Sequence, residues 1–204
     1  MLSQYDLAAI WDATSDGRWK KRVDGAGHAQ LQKSHPPEIL FIERCIQFLK
    51  PGTGRMAMVI PNGILNNPAL GYVRQWILSN TQVLAVVDMA RDLFQPKNDT
   101  QTSMVLLRRL DDAERQLAED DQLDYPCFMA VTERIGHDKR GNTIYRRNEQ
   151  GDDIVVVRQE AVAERDQETG EETITEIEVK ELLVDDELPE VAEAYLHWMV
   201  DKVS

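Results

Sequence analysis

The chain has 204 residues, 42% of them hydrophobic and 29% charged, with a formal net charge of −13; that length suits one domain, or one domain with an appendage. No apolar run approaches about 18 residues and no basic-then-apolar leader opens the chain, so neither a membrane-spanning helix nor a secretory signal is expected. The charge is divided: residues 1–110 carry 13 Lys and Arg against 9 Asp and Glu, a net +4, whereas residues 111–204 carry 10 against 27, a net −17. A boundary near Leu110 follows, and any DNA-facing surface is expected in the first half, because phosphates attract cations.

Residues 1–35 read as a lead-in loop. Ser15-Asp16-Gly17 is a turn signal, and Arg18, Lys20, Lys21 and Arg22 surround Trp19. Two readings stand for this cluster, a track for a phosphate backbone or a solvated loop anchored by one tryptophan. Next comes a helix from Pro37 to Lys50. Ile39, Ile42, Ile46 and Leu49 form its apolar stripe, widened by Phe41, Cys45 and Phe48, and Glu38, Glu43, Arg44, Gln47 and Lys50 are assigned to the solvent side. Pro37 suits the first turn, and Lys50-Pro51-Gly52 supplies a stop.

Residues 56–60 contain no polar member, which predicts a strand covered on both faces, as in a parallel sheet. Asn67-Pro68 reads as an N-cap followed by proline, opening a helix whose Leu70, Val73 and Ile77 turn inward and which stops near Asn80. A second buried strand at residues 83–87 is expected beside the first as its parallel neighbour. Residues 88–102 lack a helical period and are interrupted by Pro96, so the third strand, residues 103–107, is expected after a loop and antiparallel.

Beyond the boundary, residues 111–124 suit a surface helix or linker. The run 125–131, the basic turn His137-Asp138-Lys139-Arg140 between Gly136 and Gly141, and the segments at Ile144-Tyr145 and 154–157 read as short strands joined by turns. Residues 158–187 alternate charge with Val, Ile and Thr, as a solvated hairpin or a mobile stretch would. Pro189 opens a last helix with Val191, Tyr195 and Trp198 or Met199 on one side. Cys45 and Cys127 are expected as buried thiols, in keeping with a reducing cytoplasm. His28, His35, His137 and His197 share no ligand spacing with cysteine or carboxylates, so no metal is expected.

Taken together, FIERCIQFLKPG, RMAMVIPNGIL, the helix to Asn80, TQVLAVVD and then DLFQP…TSMVLL resemble the second half of the methyltransferase domain of adenine-N6 DNA methylases, in particular the modification subunits of type I restriction-modification systems. The resemblance covers residues 1–110 well and continues less distinctively to the C-terminus. It implies an α/β fold: the C-terminal half of a Rossmann-like methyltransferase sheet, parallel strands plus one antiparallel strand, at residues 36–110. Residues 1–35 would lie near the substrate cleft, and an acidic α+β appendage would fill residues 111–204. The implied function is part of a DNA adenine-N6 methyltransferase. S-adenosyl-L-methionine would be the methyl donor, and DNA and the specificity and restriction subunits the partners, with no membrane.

Two family motifs are missing. Neither the Asn/Asp-Pro-Pro-Tyr/Phe tetrapeptide that orients the target amine nor the glycine-containing turn that holds the cofactor occurs. Asn67-Pro68-Ala69-Leu70 lacks the second proline and the aromatic, and Gly52-Thr53-Gly54 lacks a third glycine opening a helix. The chain is therefore expected to begin just after the tetrapeptide, to hold no catalytic residue, to bind the cofactor poorly and to be inactive alone. By position in the pattern, Phe41 matches the aromatic that packs on the cofactor adenine, and Phe94 the aromatic that stacks on the flipped target base. Asn62 and Lys97 are candidate substrate or DNA contacts. The strand at 56–60 would lose the neighbour that carries the tetrapeptide, so self-association through that edge is expected. The alternative from another class is a non-catalytic binding or assembly module derived from a methylase.

Overall fold

The computed structural model describes residues 2–165 and 172–203. Its centre is a four-stranded sheet built from β3 (Arg55–Pro61), β4 (Thr81–Asp88), β5 (Thr102–Arg109) and β6 (Phe128–Val131), in the order β3-β5-β4-β6. β5 runs antiparallel to both its neighbours, and β4 and β6 are parallel. β3 and β4 point the same way, as expected, but they are not adjacent. The chain turns back directly after β4 and slots β5 into the gap that the crossover between β3 and β4 leaves, where it bonds to both.

Helices cover the two faces. On one side lie α1 (Pro37–Phe48), the short α2 (Asn62–Asn66) and α3 (Gly71–Asn80). Ile39, Ile42 and Ile46 of α1 and Val73, Trp76 and Ile77 of α3 meet Ile60, Val105 and Leu107 in one apolar cluster. Asn67 accepts a hydrogen bond from the Ala69 amide at 2.9 Å, the expected cap, although a 3-10 turn at Pro68–Leu70 precedes α3. The other face receives α5 (Leu188–Val203), whose Leu188, Val191 and Tyr195 line an apolar space with Ala85, Val87, Met104 and Leu106. A bulge after Val83 lets β4 serve both layers: Val83 and Val86 join the α1/α3 cluster, while Ala85 and Val87 turn to α5. Phe128 packs edge-on to Tyr195 with ring centroids 5.4 Å apart, and Trp198 stacks on Tyr195.

β3 is half-covered rather than buried on both faces. Met56, Met58 and Ile60 alternate toward the helices, whereas Ala57 and Val59 on the far face are exposed, Val59 to 45%. Among the described residues no strand pairs with its outer edge.

Helix α1 corrects the assignment of its faces. Glu43 is fully buried, because four residues after Ile39 falls on the apolar stripe itself, while Phe41 and Phe48 are 63% and 78% exposed. Its two oxygens accept the amides of Asp6 and Leu7, each at 2.8 Å, and Gln47 donates to one of them at 2.9 Å. The expected lead-in loop is thereby tied down, and it is not a loop. β1 (Trp11–Ala13) and β2 (Trp19–Lys21) form a ribbon. Trp11 and Trp19 pack on Tyr72 of α3 with ring centroids 6.0 and 5.9 Å away. Trp19 exchanges two hydrogen bonds with Gln75. Arg18 pairs with Asp121, Lys21 with Asp6 and Arg22 with Asp12. Cations neutralised in place suit the anchored reading better than a phosphate track.

Past β5, a capping box between Asp111 and Glu114 opens α4 (Asp112–Glu119), and Arg108 forks onto the Glu114 carboxylate at 2.6 and 3.1 Å. β7 (Val155–Arg165) and β8 (Glu172–Leu182) form a long antiparallel hairpin, the first of the two readings of 158–187, and it begins three residues earlier; residues 166–171 lie outside the described residues. Cys45 is half-buried and Cys127 is exposed, not buried; both are free. No helix among the described residues is long and apolar enough to cross a membrane.

Candidate functional site

Three strand ends converge at one edge of the sheet, because β3 and β4 finish where β5 begins. The crevice outside such carboxyl ends is where open α/β sheets keep their ligands. Here the ends are joined by side chains. Asn62 Nδ2 donates to Asp88 Oδ1 at 2.8 Å, and Ser103 Oγ lies 2.7 Å from Asn62 Oδ1 and 3.2 Å from Asp88 Oδ1. Gln101 Nε2 reaches Asp88 Oδ2 at 3.5 Å, and its carbonyl accepts the Asn62 amide at 2.9 Å. One N–H and one lone pair of the Asn62 amide are spent in this net, leaving one of each.

Asp88 and Thr102 are also the stem of the loop 89–101. Thr132, just past β6, donates its amide to the Asp88 carbonyl at 2.9 Å, and its hydroxyl stands 3.3 Å from that carbonyl and 3.2 Å from the Ala90 amide. Within the loop, a 3-10 turn at Arg91–Phe94 is followed by a cis Gln95–Pro96 bond. Arg91 grips Asp99 through two bonds of 3.2 and 3.0 Å, and Gln95 adds a third at 2.8 Å. The Arg91 guanidinium holds the Asp99 carboxyl below the usual carboxylate range. The Phe94 carbonyl accepts the amides of Lys97 and Asn98. On this fixed loop the Phe94 ring is 42% exposed. A cleft of about 390 Å³ opens at the stem of this loop, lined by Asp88, Arg91, Gln101, Thr132 and Lys139 among others.

Of the residues singled out by sequence, Asn62, Phe94 and Lys97 share this edge. Phe41 stands on α1 in the helix layer, its ring open to solvent. Asp88, Ser103 and Thr132 were not anticipated. Ser103 and the aromatic loop belong to the sequence pattern, but nothing in a linear pattern says that an Asp ending one strand will meet an Asn ending another. The Gly52-Thr53-Gly54 segment is a turn between α1 and β3: Gly52 has φ +76°, and a Cβ on Gly54 would lie 2.5 Å from the Lys50 amide nitrogen. No cluster of His, Cys, Asp or Glu able to hold a metal exists among the described residues.

A family model for the N-6 DNA methylases matches residues 6–180. No curated protein sequence matches the chain. Among solved structures, a Listeria monocytogenes protein described as a class I S-adenosylmethionine-dependent methyltransferase aligns with 17% identity and a TM-score of 0.39, over 50% of this chain and 29% of its own. A Vibrio vulnificus YJ016 chain described as a type I restriction enzyme modification subunit aligns at 27% identity and TM-score 0.32, over 35% of this chain and 16% of its own. A chain from a type I R-M system aligns at 25% identity and TM-score 0.35, over 44% and 19%. The present chain thus spans less than a third of each of these. With the family pattern running through most of its length, onto a mixed sheet whose strand ends carry the loop of Phe94, the chain belongs to the N-6 DNA methylase family.

Proposed function

We propose that this chain forms one wall of the substrate cleft of a DNA adenine-N6 methyltransferase, the modification subunit of a type I restriction-modification system. The parent protein transfers a methyl group from S-adenosyl-L-methionine to adenine in DNA, alongside specificity and restriction subunits. The observation that carries this reading is Phe94: a half-exposed ring on a loop fixed at both ends, at the carboxyl edge of the sheet. A flipped base needs an aromatic face to replace the stacking it loses, worth about 1–3 kcal/mol, and a ring held in place loses little freedom on binding. Asn62 contributes its remaining N–H and lone pair beside that base, Lys97 a cation beside the loop, and Phe41 an open ring for the cofactor adenine.

The residues of this chain do not make a complete cofactor site. Its Gly52-Thr53-Gly54 turn is spent between α1 and β3, and no tetrapeptide ends any of its strands. No chemical step is therefore assigned to it. Purified chain incubated with DNA and tritiated S-adenosylmethionine is expected to incorporate no label, and calorimetry with the unlabelled cofactor to show no heat of binding. Incorporation above a protein-free blank would overturn the assignment of one wall only.

The open edge of β3 supports an assembly role as well. A seven-residue strand with exposed Ala57 and Val59, an Arg only at its first position and a Pro only at its last lacks the charges that keep edges apart. It is the place where the strand bearing the tetrapeptide pairs; without that strand, two copies associate there. Light scattering showing a monomer at all concentrations would exclude the second half of this statement.

A further inference from the structure

The basic turn 137–140 belongs to the acidic half of the chain, yet it returns to the Phe94 loop. A Cβ on Gly141 would sit 3.5 Å from Cδ of Pro96, and Lys139 lines the same cleft as Asp88, Arg91 and Gln101. The turn is built to keep this position. Asp138 accepts the amides of Arg140 and Asn142 at 2.8 and 2.9 Å and the Asn142 side chain at 3.0 Å, Gly141 takes φ +82°, and His137 bridges to Thr143.

What the turn presents is positive charge held in no salt bridge among the described residues, although Lys139 acts on the Asp99 carboxylate and Arg140 on that of Asp138. The acids nearest the cations are occupied: Asp138 by the turn amides, Asp99 by Arg91 and Gln95, Asp88 by Asn62, Ser103 and Gln101. Asp92 and Glu133 also border the cleft. Lys97, Lys139 and Arg140 are exposed and form no salt bridge with another of the described residues, in contrast to Arg18, Lys21 and Arg22 of the ribbon. The anions such an arrangement suits are phosphodiesters, which lie about one base apart along a strand, and a loop that stacks on one base needs its flanking phosphates held.

We infer that Lys139 and Arg140, together with Lys97, form a contact for nucleic-acid backbone phosphates on the rim beside Phe94. This rests on the reading of the strand-end cleft as a DNA site and deepens it: the acidic appendage supplies two of the three cations of the basic rim. The sign of its bulk charge, −17 over residues 111–204, conceals a local patch of the opposite sign.

The test is fluorescence anisotropy of a labelled DNA oligonucleotide titrated with the 204-residue chain over a range of salt concentrations starting low. The double substitution Lys139→Ala/Arg140→Ala should flatten the plot of log affinity against log salt by about two units of slope, one per phosphate contact. A charge-matched control, Lys50→Ala/Arg55→Ala, removes two cations at the opposite end of β3 and should leave the slope as in the parent. Circular dichroism of both variants checks the fold, and Lys97→Ala alone should remove about one unit. Equal slopes for parent and turn variant, with the parent binding, overturn this contact and leave the DNA reading standing. Equal losses from the control and the turn variant also overturn it, since bulk charge then suffices. Absence of binding by the parent chain at low salt overturns both.

Discussion

Asn62 and Asp88, twenty-six positions apart in sequence, meet at 2.8 Å across the ends of β3 and β4 with β5 between them. That bond bridges over the intervening strand by taking in Ser103, the residue of β5 that lies beneath it. It fixes the stem of the loop that carries Phe94.

Asp88→Ala should therefore act on the loop as well as on the fold. It strips the acceptor from the Asn62 side-chain N–H, while the Ser103 hydroxyl keeps its shorter bond to Asn62 Oδ1; a polar group left unpaired costs about 1–3 kcal/mol. Urea titration should show the midpoint fall with the slope unchanged. Hydrogen exchange should accelerate in residues 89–101 beyond the change elsewhere.

Glu43 and Asp6 give the lead-in an opposed pair of pH responses. Burial pushes the Glu43 carboxyl above its usual range, against the pull of the Leu7 and Asp6 amides. Its contribution is thus largest in acid and falls as pH rises through the folded-state pKa. Burial also disfavours an ionised Asp6, but hydrogen bonds from Lys21 and Trp76 and the nearby positive charge outweigh it and hold that carboxyl low. Its contribution is present above the usual carboxylate range and disappears as pH falls through the depressed value. Urea midpoints over about pH 3 to 7 should show the parent losing ground to Glu43→Gln as pH rises, and Asp6→Asn removing part of the loss on the acid side.

Gly71→Ala tests how the ribbon docks. The added Cβ would meet Trp19 Nε1 at 2.5 Å and two further indole atoms at 3.0 and 3.2 Å, and overpacking of this kind costs about 1–3 kcal/mol. The tryptophan emission maximum should shift to the red as the indole leaves Tyr72, and the urea midpoint should drop. A Gly71→Ala protein with unchanged emission and midpoint would show that the ribbon yields freely.

Phe41→Ala separates an open ring from a core ring. At 63% exposure the substitution should move stability by no more than about 0.5 kcal/mol, whereas a buried phenylalanine costs about 3–5 kcal/mol. Thermal melts of the two proteins decide between these values.

How far the sequence foretold this molecule depends on the range of each interaction. The ends of α1, the cap at Asn67, the antiparallel sense of β5 and the inward side of α5 follow from spacing and from residues that tolerate only certain backbone angles, all of them local. The sheet order escaped because β5 enters between strands that precede it in the chain. Glu43 escaped because a carboxylate was assigned by its polarity, although its place four residues after Ile39 put it on the buried stripe; its partners, the amides of Asp6 and Leu7, carry no side-chain signature. The ribbon was mistaken for a loop because Tyr72 and Gln75, which hold it, lie more than fifty residues downstream. At the site, Phe94, Asn62 and Lys97 were marked by pattern, while Asp88, Ser103 and the turn at 137–140 acquire meaning only once the strand ends and the appendage are brought together in space.

The central claim is that Phe94 offers its face to an unstacked base. The most direct measurement is the fluorescence of a 2-aminopurine placed unpaired in a DNA oligonucleotide, so that no energy is needed to extrude it, titrated with the parent chain and with Phe94→Ala at low salt. Stacking on the ring predicts a quench at saturation with the parent and most of that quench lost in the variant, at matched occupancy by anisotropy. An equal quench from both proteins would contradict the account.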